Sequence, residues 1–169
     1  MPSLSWCECS LDPSLTVRPR AALALGLVAP EYAVTAVTVM LDQQRTNMSW
    51  TGDNAYVLYQ GLGPAAKEAV PTLQAELADA RMVMFHGDAA GALWRVTGEA
   101  TPQIVEGLST GVRIGVQRTQ LRCLRILREI GPRAAAAAPA LHSLTNHPRI
   151  LIRELAREAL ESIARSPSK

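Results

Sequence analysis

Two stretches of the chain repeat one pattern. GLGPAAKEAVPTLQAEL at 61–77 is answered by EIGPRAAAAAPALHSL at 129–144, so that Gly63, Pro64 and Pro71 return as Gly131, Pro132 and Pro139 at a single offset. That offset is twice 34 residues. Stepping by 34 from Leu25 reaches Tyr59, Leu93 and Leu127, and from Val28 it reaches Leu62, Val96 and Ile130. A last copy arrives one residue early, at Leu160 and Ile163. Pro30, Pro64 and Pro132 keep the same time, and Gly98 in VTGEATP interrupts them, so the third copy opens without its proline. A fixed period of this length marks a supersecondary unit used several times, and one such unit cannot bury its apolar face alone. Neighbouring copies must stack.

Each copy holds two helical patterns. AKEAVPTLQAELADA and AAAAAPALHSLTN belong to the first, with Val70, Leu73 and Leu77 at helical spacing on one side. GDAAGALWRVTG and IRELAREALESIA belong to the second, where Ile152, Ala156, Ala159, Leu160 and Ile163 form a stripe of period near 3.6. Each copy is therefore expected to be a helical hairpin, and the alanines let neighbouring helices approach closely. Pro64 and Pro132 suit a first helical turn, where the missing N–H is not needed. Pro71 and Pro139 fall seven residues deeper, where the lost hydrogen bond and the ring clash kink the helix or restart it.

Composition agrees with helices. Hydrophobic residues make up 48% of the chain while aromatics are only 4%, so the apolar content comes from Ala, Leu, Val and Ile. A length of 169 residues suits one cooperative domain. No apolar run approaches the roughly 20 residues that cross a bilayer, and MPSLSWCECSLDP lacks the basic head and apolar stretch of a leader. A cytoplasmic protein without a membrane partner is expected. The excess of arginine over lysine, 15 to 2, together with the alanine load, suggests a GC-rich bacterial source.

The residues resemble a known family. LDPSLTVRPRAALALG at 11–26 and IRELAREALESIA resemble the second helix of a HEAT repeat, and the Gly-Pro…Ala…Pro-x-Leu pattern is similar to the short HEAT-like repeats of the phycobilisome-lyase type. The resemblance covers 11–165. Thirty-four is also the tetratricopeptide period, but the Trp, Leu-Gly and Tyr series of that family is not found in register, and prolines inside first helices suit HEAT better. The resemblance implies an all-α fold, a right-handed α-solenoid of about four HEAT-like helical hairpins, whose second helices line a concave face. Residues 1–10 would be a degenerate N-terminal cap and 166–169 a disordered tail.

Catalytic signatures are sparse. Cys7 and Cys9 have no second pair or nearby His to complete a tetrahedral metal site, and with Cys123 they read as reduced thiols; no metal or cofactor is expected. His142 and His147 lie five apart, a poor spacing for one helix face. His86 shares the repeat position of Arg18, Gln120 and Arg153, and reads either as a general base or as a residue bonding a neighbouring loop. No zinc-protease motif, nucleophile elbow or phosphate loop occurs. The chain reads as no enzyme. HEAT-like scaffolds do include DNA glycosylases and bilin lyases, so an enzyme or enzyme accessory of that kind is the alternative.

Charge points to a surface. Residues 111–169 carry 11 Lys/Arg against 4 Asp/Glu, net +7, whereas residues 1–110 carry 6 against 11, net −5, giving the chain its +2. Arg118, Arg122, Arg125 and Arg128 follow at spacings of four, three and three, on one helix face opposite Cys123, Leu127 and Ile130. They read as a contact for an acidic partner or as a solvated face paired with Glu158 and Glu161 one copy later. Trp94, flanked by Arg95, shares the repeat position of Gly26, Gln60 and Arg128, and reads as a binding anchor or as a ring tucked between hairpins. The expected function is a non-catalytic protein-binding or scaffolding module whose site is Trp94, Arg95, Arg118, Arg122, Arg125 and Arg128. Its partner would be an acidic segment of another protein, ahead of nucleic acid, since the chain is nearly neutral and lysine is scarce.

Overall fold

The computed structural model describes residues 17–46 and 48–165, and these are helical, with no strand among them. The helices are α1 (Val17–Val28), α2 (Ala33–Thr46), α3 (Met48–Leu62), α4 (Val70–Ala78), α5 (His86–Thr97), α6 (Pro102–Ile114), α7 (Gln117–Ile130), α8 (Ala138–His142) and α9 (Ile150–Ala164). The cap at 1–10, Cys7 and Cys9, and the tail at 166–169 lie outside the described residues. So does the side chain of Arg18. Among the described residues no helix is long and apolar enough to cross a membrane.

The repeat is visible in local geometry before any packing is considered. Gly63–Ala69 and Gly131–Ala137 are both 3-10 segments, each beginning with a glycine at positive φ (53° and 64°) followed by proline. At Gly131 ψ is −134°, a combination open essentially to glycine alone, and it lets the chain leave α7 and enter Pro132 without steric conflict. Inside each segment one alanine departs from helical values in the same way, Ala66 at φ −94°, ψ 21° and Ala134 at φ −95°, ψ 19°. The α-helix then starts at Val70 and Ala138, one residue before Pro71 and Pro139. The deeper prolines therefore restart the helix rather than bend it, because a second helical position needs no N–H donor. In the third copy, Gly98 at φ 70° ends α5 and Thr101 caps α6, its hydroxyl accepting from the Ile104 N–H at 3.3 Å, with Pro102 opening the helix.

The chain divides into two compact units: the first runs to Leu73 and takes Arg95–Thr97, and the second comprises Gln74–Trp94 and the chain from Gly98 onward. In the first, α2 packs on α1 and α3, α1 packs on α3, and 63–69 packs on α2 and α3. In the second, α6 packs on α7, α7 on α9, and the 131–137 segment with α8 packs on α6 and α9. Within each unit, then, second helices meet second helices and the elements opening one copy meet those opening the next. Leu25, Tyr59, Leu93 and Leu127, the 34-residue series, are all buried, at 4%, 0%, 3% and 0% exposure.

Two expectations of detail are corrected. Val28 heads an apolar series but is exposed, because the chain turns at the end of α1 and buries Ala29 in its place. α8 is shorter than AAAAAPALHSLTN suggests. Ser143 Oγ donates to the Ala140 carbonyl at 2.7 Å and Thr145 Oγ1 to the His142 carbonyl at 2.8 Å, so hydroxyls take acceptors that another helical turn would use.

The helix crossing between α5 and α6 is unusually close. A Cβ built on Gly87 would lie 2.6 Å from the Gly111 Cα, and one on Gly107 would lie 2.8 Å from the Ala90 Cβ. Glycine is required there by space, not by backbone angle. The crossing brings the start of α5 against α6 and α7, which is what positions the polar cluster described next.

Candidate functional site

α7 carries the arginine stripe on the face opposite buried Cys123, Leu127 and Ile130. The four side chains have different surroundings. Arg118 and Arg125 are exposed. Arg122 is drawn inward, and its Nη1 donates to Asp88 Oδ1 at 2.5 Å. Asp88 stands on α5, is 3% exposed, and accepts from Thr119 Oγ1 on its other oxygen at 2.8 Å. A carboxylate with both oxygens satisfied by the next helix is a fastener between copies, and Arg122 supplies the charge that makes its burial tolerable. Arg128 pairs with Glu158 of α9 at 2.5 Å, both about half exposed, and its carbonyl accepts from Ser162 Oγ at 2.8 Å. Of the expected stripe of four, Arg118 and Arg125 are exposed, while Arg122 and Arg128 pair with carboxylates of neighbouring helices.

Trp94 is neither fully exposed nor fully buried: the ring is half-buried and its Nε1 is out of solvent. The same repeat position explains this. At Gly26 a Cβ would meet the Ala36 Cβ at 2.8 Å and Leu58 Cδ1 at 3.0 Å, so the position faces neighbouring helices rather than open solvent. Arg95 is exposed and belongs to the first compact unit, while Trp94 and the four α7 arginines belong to the second.

His86 and the residues sharing its repeat position do one job three times. His86 Nε2 lies 3.1 Å from the Asp79 carbonyl, Gln120 Nε2 donates to the Val112 carbonyl at 3.1 Å, and Arg153 Nη1 donates to the His147 carbonyl at 3.2 Å. Each of the three side chains, near the start of a second helix, reaches a carbonyl where the preceding element ends, and the Asp79 carbonyl also accepts from the Met82 N–H at 2.9 Å. Of the two readings of His86, the loop-bonding one is what the geometry displays.

Two groups have displaced titrations. Asp79 caps the 80–85 segment and is gripped by Arg81, chiefly through the guanidinium and then through its backbone N–H at 2.9 Å, which holds its carboxyl at about 2. Burial pushes the Cys123 thiol well above its ordinary value, with the Asp88 charge adding to the effect. A thiol so protonated is a packing group, not a nucleophile. Its Sγ fills the space beside Gly87 and Gly111.

Asp88 and Thr119 were not singled out in the sequence. A signal existed: Asp88 and Arg122 are 34 residues apart, opposite charges at the same position of consecutive copies. No protein-family model, curated protein or solved structure matches the chain.

Proposed function

We propose that the chain is a HEAT-like repeat module, a short right-handed α-solenoid of about four hairpins, that binds an acidic segment of another protein without catalysis. The reading is supported by hairpins that stack like upon like within each compact unit, and by a glycine–proline–alanine geometry that recurs at twice 34 residues.

The observation that carries the function is the outward pair on α7. Arg118 and Arg125 are seven residues apart, two turns on one face and about 10 Å along the axis, while Arg122 between them is turned inward to Asp88. Two exposed guanidiniums at that separation match carboxylates spaced along an extended or helical segment, each contact a charge-assisted bond. The half-buried Trp94 in the same compact unit offers an apolar ring for a side chain beside those carboxylates.

The test is amide and arginine side-chain NMR of the protein titrated with a synthetic peptide of alternating Glu and Leu at low salt. Shifts gathered at Arg118, Arg125 and the Trp94 indole support the reading; shifts spread evenly over every exposed arginine contradict it.

A further inference from the structure

Outside the α7 face, the large exposed hydrophobic side chains are not scattered. Of the nine recorded among the described residues, six fall at hairpin turns of the second compact unit: Val83 and Met84, Ile114 and Val116, Ile150 and Leu151. Their exposures run from 37% to 67%, although helix faces a few residues away offer burial. Each pair occupies the junction between the first and second helix of its copy, at 80–85, 114–116 and 143–151. Val116 is the N-cap of α7 and Ile150 the first residue of α9, one step apart in the repeat because the last copy arrives one residue early.

These junctions share one edge. The 80–85 segment packs on α6, and α7 packs on α9. Asp88 meets Thr119 and Arg122 within the first turns of α5 and α7, and Ser162 meets Arg128 at the 34-residue offset, so second helices run side by side in register. Successive junctions are then about 10 Å apart, one helix spacing. Arginine accompanies the apolar pairs throughout: Arg81 before the first, Arg113 and Arg118 around the second, Arg149 before the third. Two of these arginines carry exposed ion pairs, Arg81 with Asp79 at 2.7 Å and Arg113 with Glu106 at 2.8 Å, and a surface pair of this kind is weak enough for a phosphate to displace.

We propose that this row of three hairpin turns seats on an anionic lipid bilayer, with the aliphatic pairs entering the headgroup boundary and the arginines meeting lipid phosphates. Side chains carried on the ends of hairpins project, and a planar surface meets several projections at once. Aliphatic tips flanked by arginine supply both parts of interfacial binding, apolar burial and attraction to anionic headgroups. Such contact needs no spanning helix, so the sequence expectation of no membrane partner, which rested on spanning segments and leaders, does not bear on it. The edge is distinct from the α7 face of the acidic-segment reading, and Arg118 alone adjoins both.

The experiment is co-sedimentation of the full chain with vesicles of phosphatidylcholine, alone or with about 30% phosphatidylserine. The wild type is expected to pellet with the anionic vesicles only. V116D/I150D, whose changes lie at exposed positions and should leave the melting temperature in place, is expected to bind at least about tenfold more weakly, and Arg149→Glu about tenfold more weakly. Failure of the wild type to bind overturns the proposal, as does binding that V116D/I150D leaves unchanged. A wild type that ignores vesicles and self-associates through Val116 and Ile150 overturns it equally, since the edge is then a protein interface. Loss of vesicle binding with acidic-peptide binding intact would separate this inference from the α7 reading.

Discussion

Asp88 and Arg122 hold the same position in consecutive copies of the repeat, and their side chains meet: a carboxylate 3% exposed on α5 receives a guanidinium from α7. The pair turns a sequence period into a physical bond. Removing one partner leaves a charge short of its counterion, which for a fully buried pair costs about 3 to 5 kcal/mol. Arg122 is 21% exposed and can recover some hydration, so Asp88→Ala is expected to destabilise by about 2 to 3 kcal/mol. Denaturant unfolding of Asp88→Ala, Arg122→Met and the double variant measures it, and the double variant should be less destabilised than the sum of the singles.

The apolar series carries a second expectation. Leu93 and Leu127 are buried at 3% and 0%, so each substitution to alanine should cost about 2 to 5 kcal/mol. Chemical denaturation reads the loss, and the two values should be similar if the positions are equivalent.

Glycines separate space from strain. Gly111→Ala puts a methyl 2.6 Å from the Gly87 Cα and 2.7 Å from Cys123 Sγ. Overpacking costs about 1 to 3 kcal/mol, and the backbone atom cannot swing aside, so the upper end applies. Better helix preference returns about 1 kcal/mol, leaving a net loss of about 2. Gly98→Ala meets nothing within 4 Å but must hold φ near 70°, which costs about 1 kcal/mol. Thermal unfolding should rank the two in that order.

Asp79 gives a pH dependence whose sign is fixed. Its folded-state pKa, about 2, lies below the ordinary carboxylate value because Arg81 stabilises the charged form. The folded state therefore binds the proton less readily than the unfolded chain, and the cap's contribution is present above the ordinary value and is lost as pH falls through about 2. Carboxyl-detected NMR titration should place Asp79 there, and Arg81→Ala should return it toward the ordinary range. Because the pair is exposed, added salt should weaken the shift.

Much of the fold was legible because period and helix geometry act on the same residues. Leu25, Tyr59, Leu93 and Leu127 are large at a fixed interval because they fill one recurring space, and Gly131–Pro132 recurs because the chain must turn sharply out of a second helix. The site was legible only in outline. Arginine spacing placed four cations on one face, but spacing carries no depth, and the inward turn of Arg122 depends on a carboxylate a whole copy earlier in sequence. Pairing with the last copy was anticipated in kind, yet Arg128 meets Glu158 rather than Glu161, one turn further toward the N-terminus of α9. Helical side chains lean toward their own N-terminus, which selects the earlier carboxylate for an arginine reaching back along its own helix. Nor did the alternation of the sequence reveal that Trp94 is half-buried, since its repeat position holds residues as different as Gly26 and Arg128.

The proposed hold of Arg118 and Arg125 on an acidic segment is read out by fluorescence anisotropy of a labelled Glu/Leu peptide across a salt series. The wild type is expected to bind more weakly as salt rises, since exposed attraction is screened within about 8 Å at physiological ionic strength. R118E/R125E, with an unchanged melting temperature, should lose about tenfold or more at low salt, as each lost contact is worth about 1 kcal/mol in water. Trp94→Ala should weaken binding by a similar factor at every salt concentration. Equal affinity of wild type and R118E/R125E at low salt would show that these two arginines do not hold the segment.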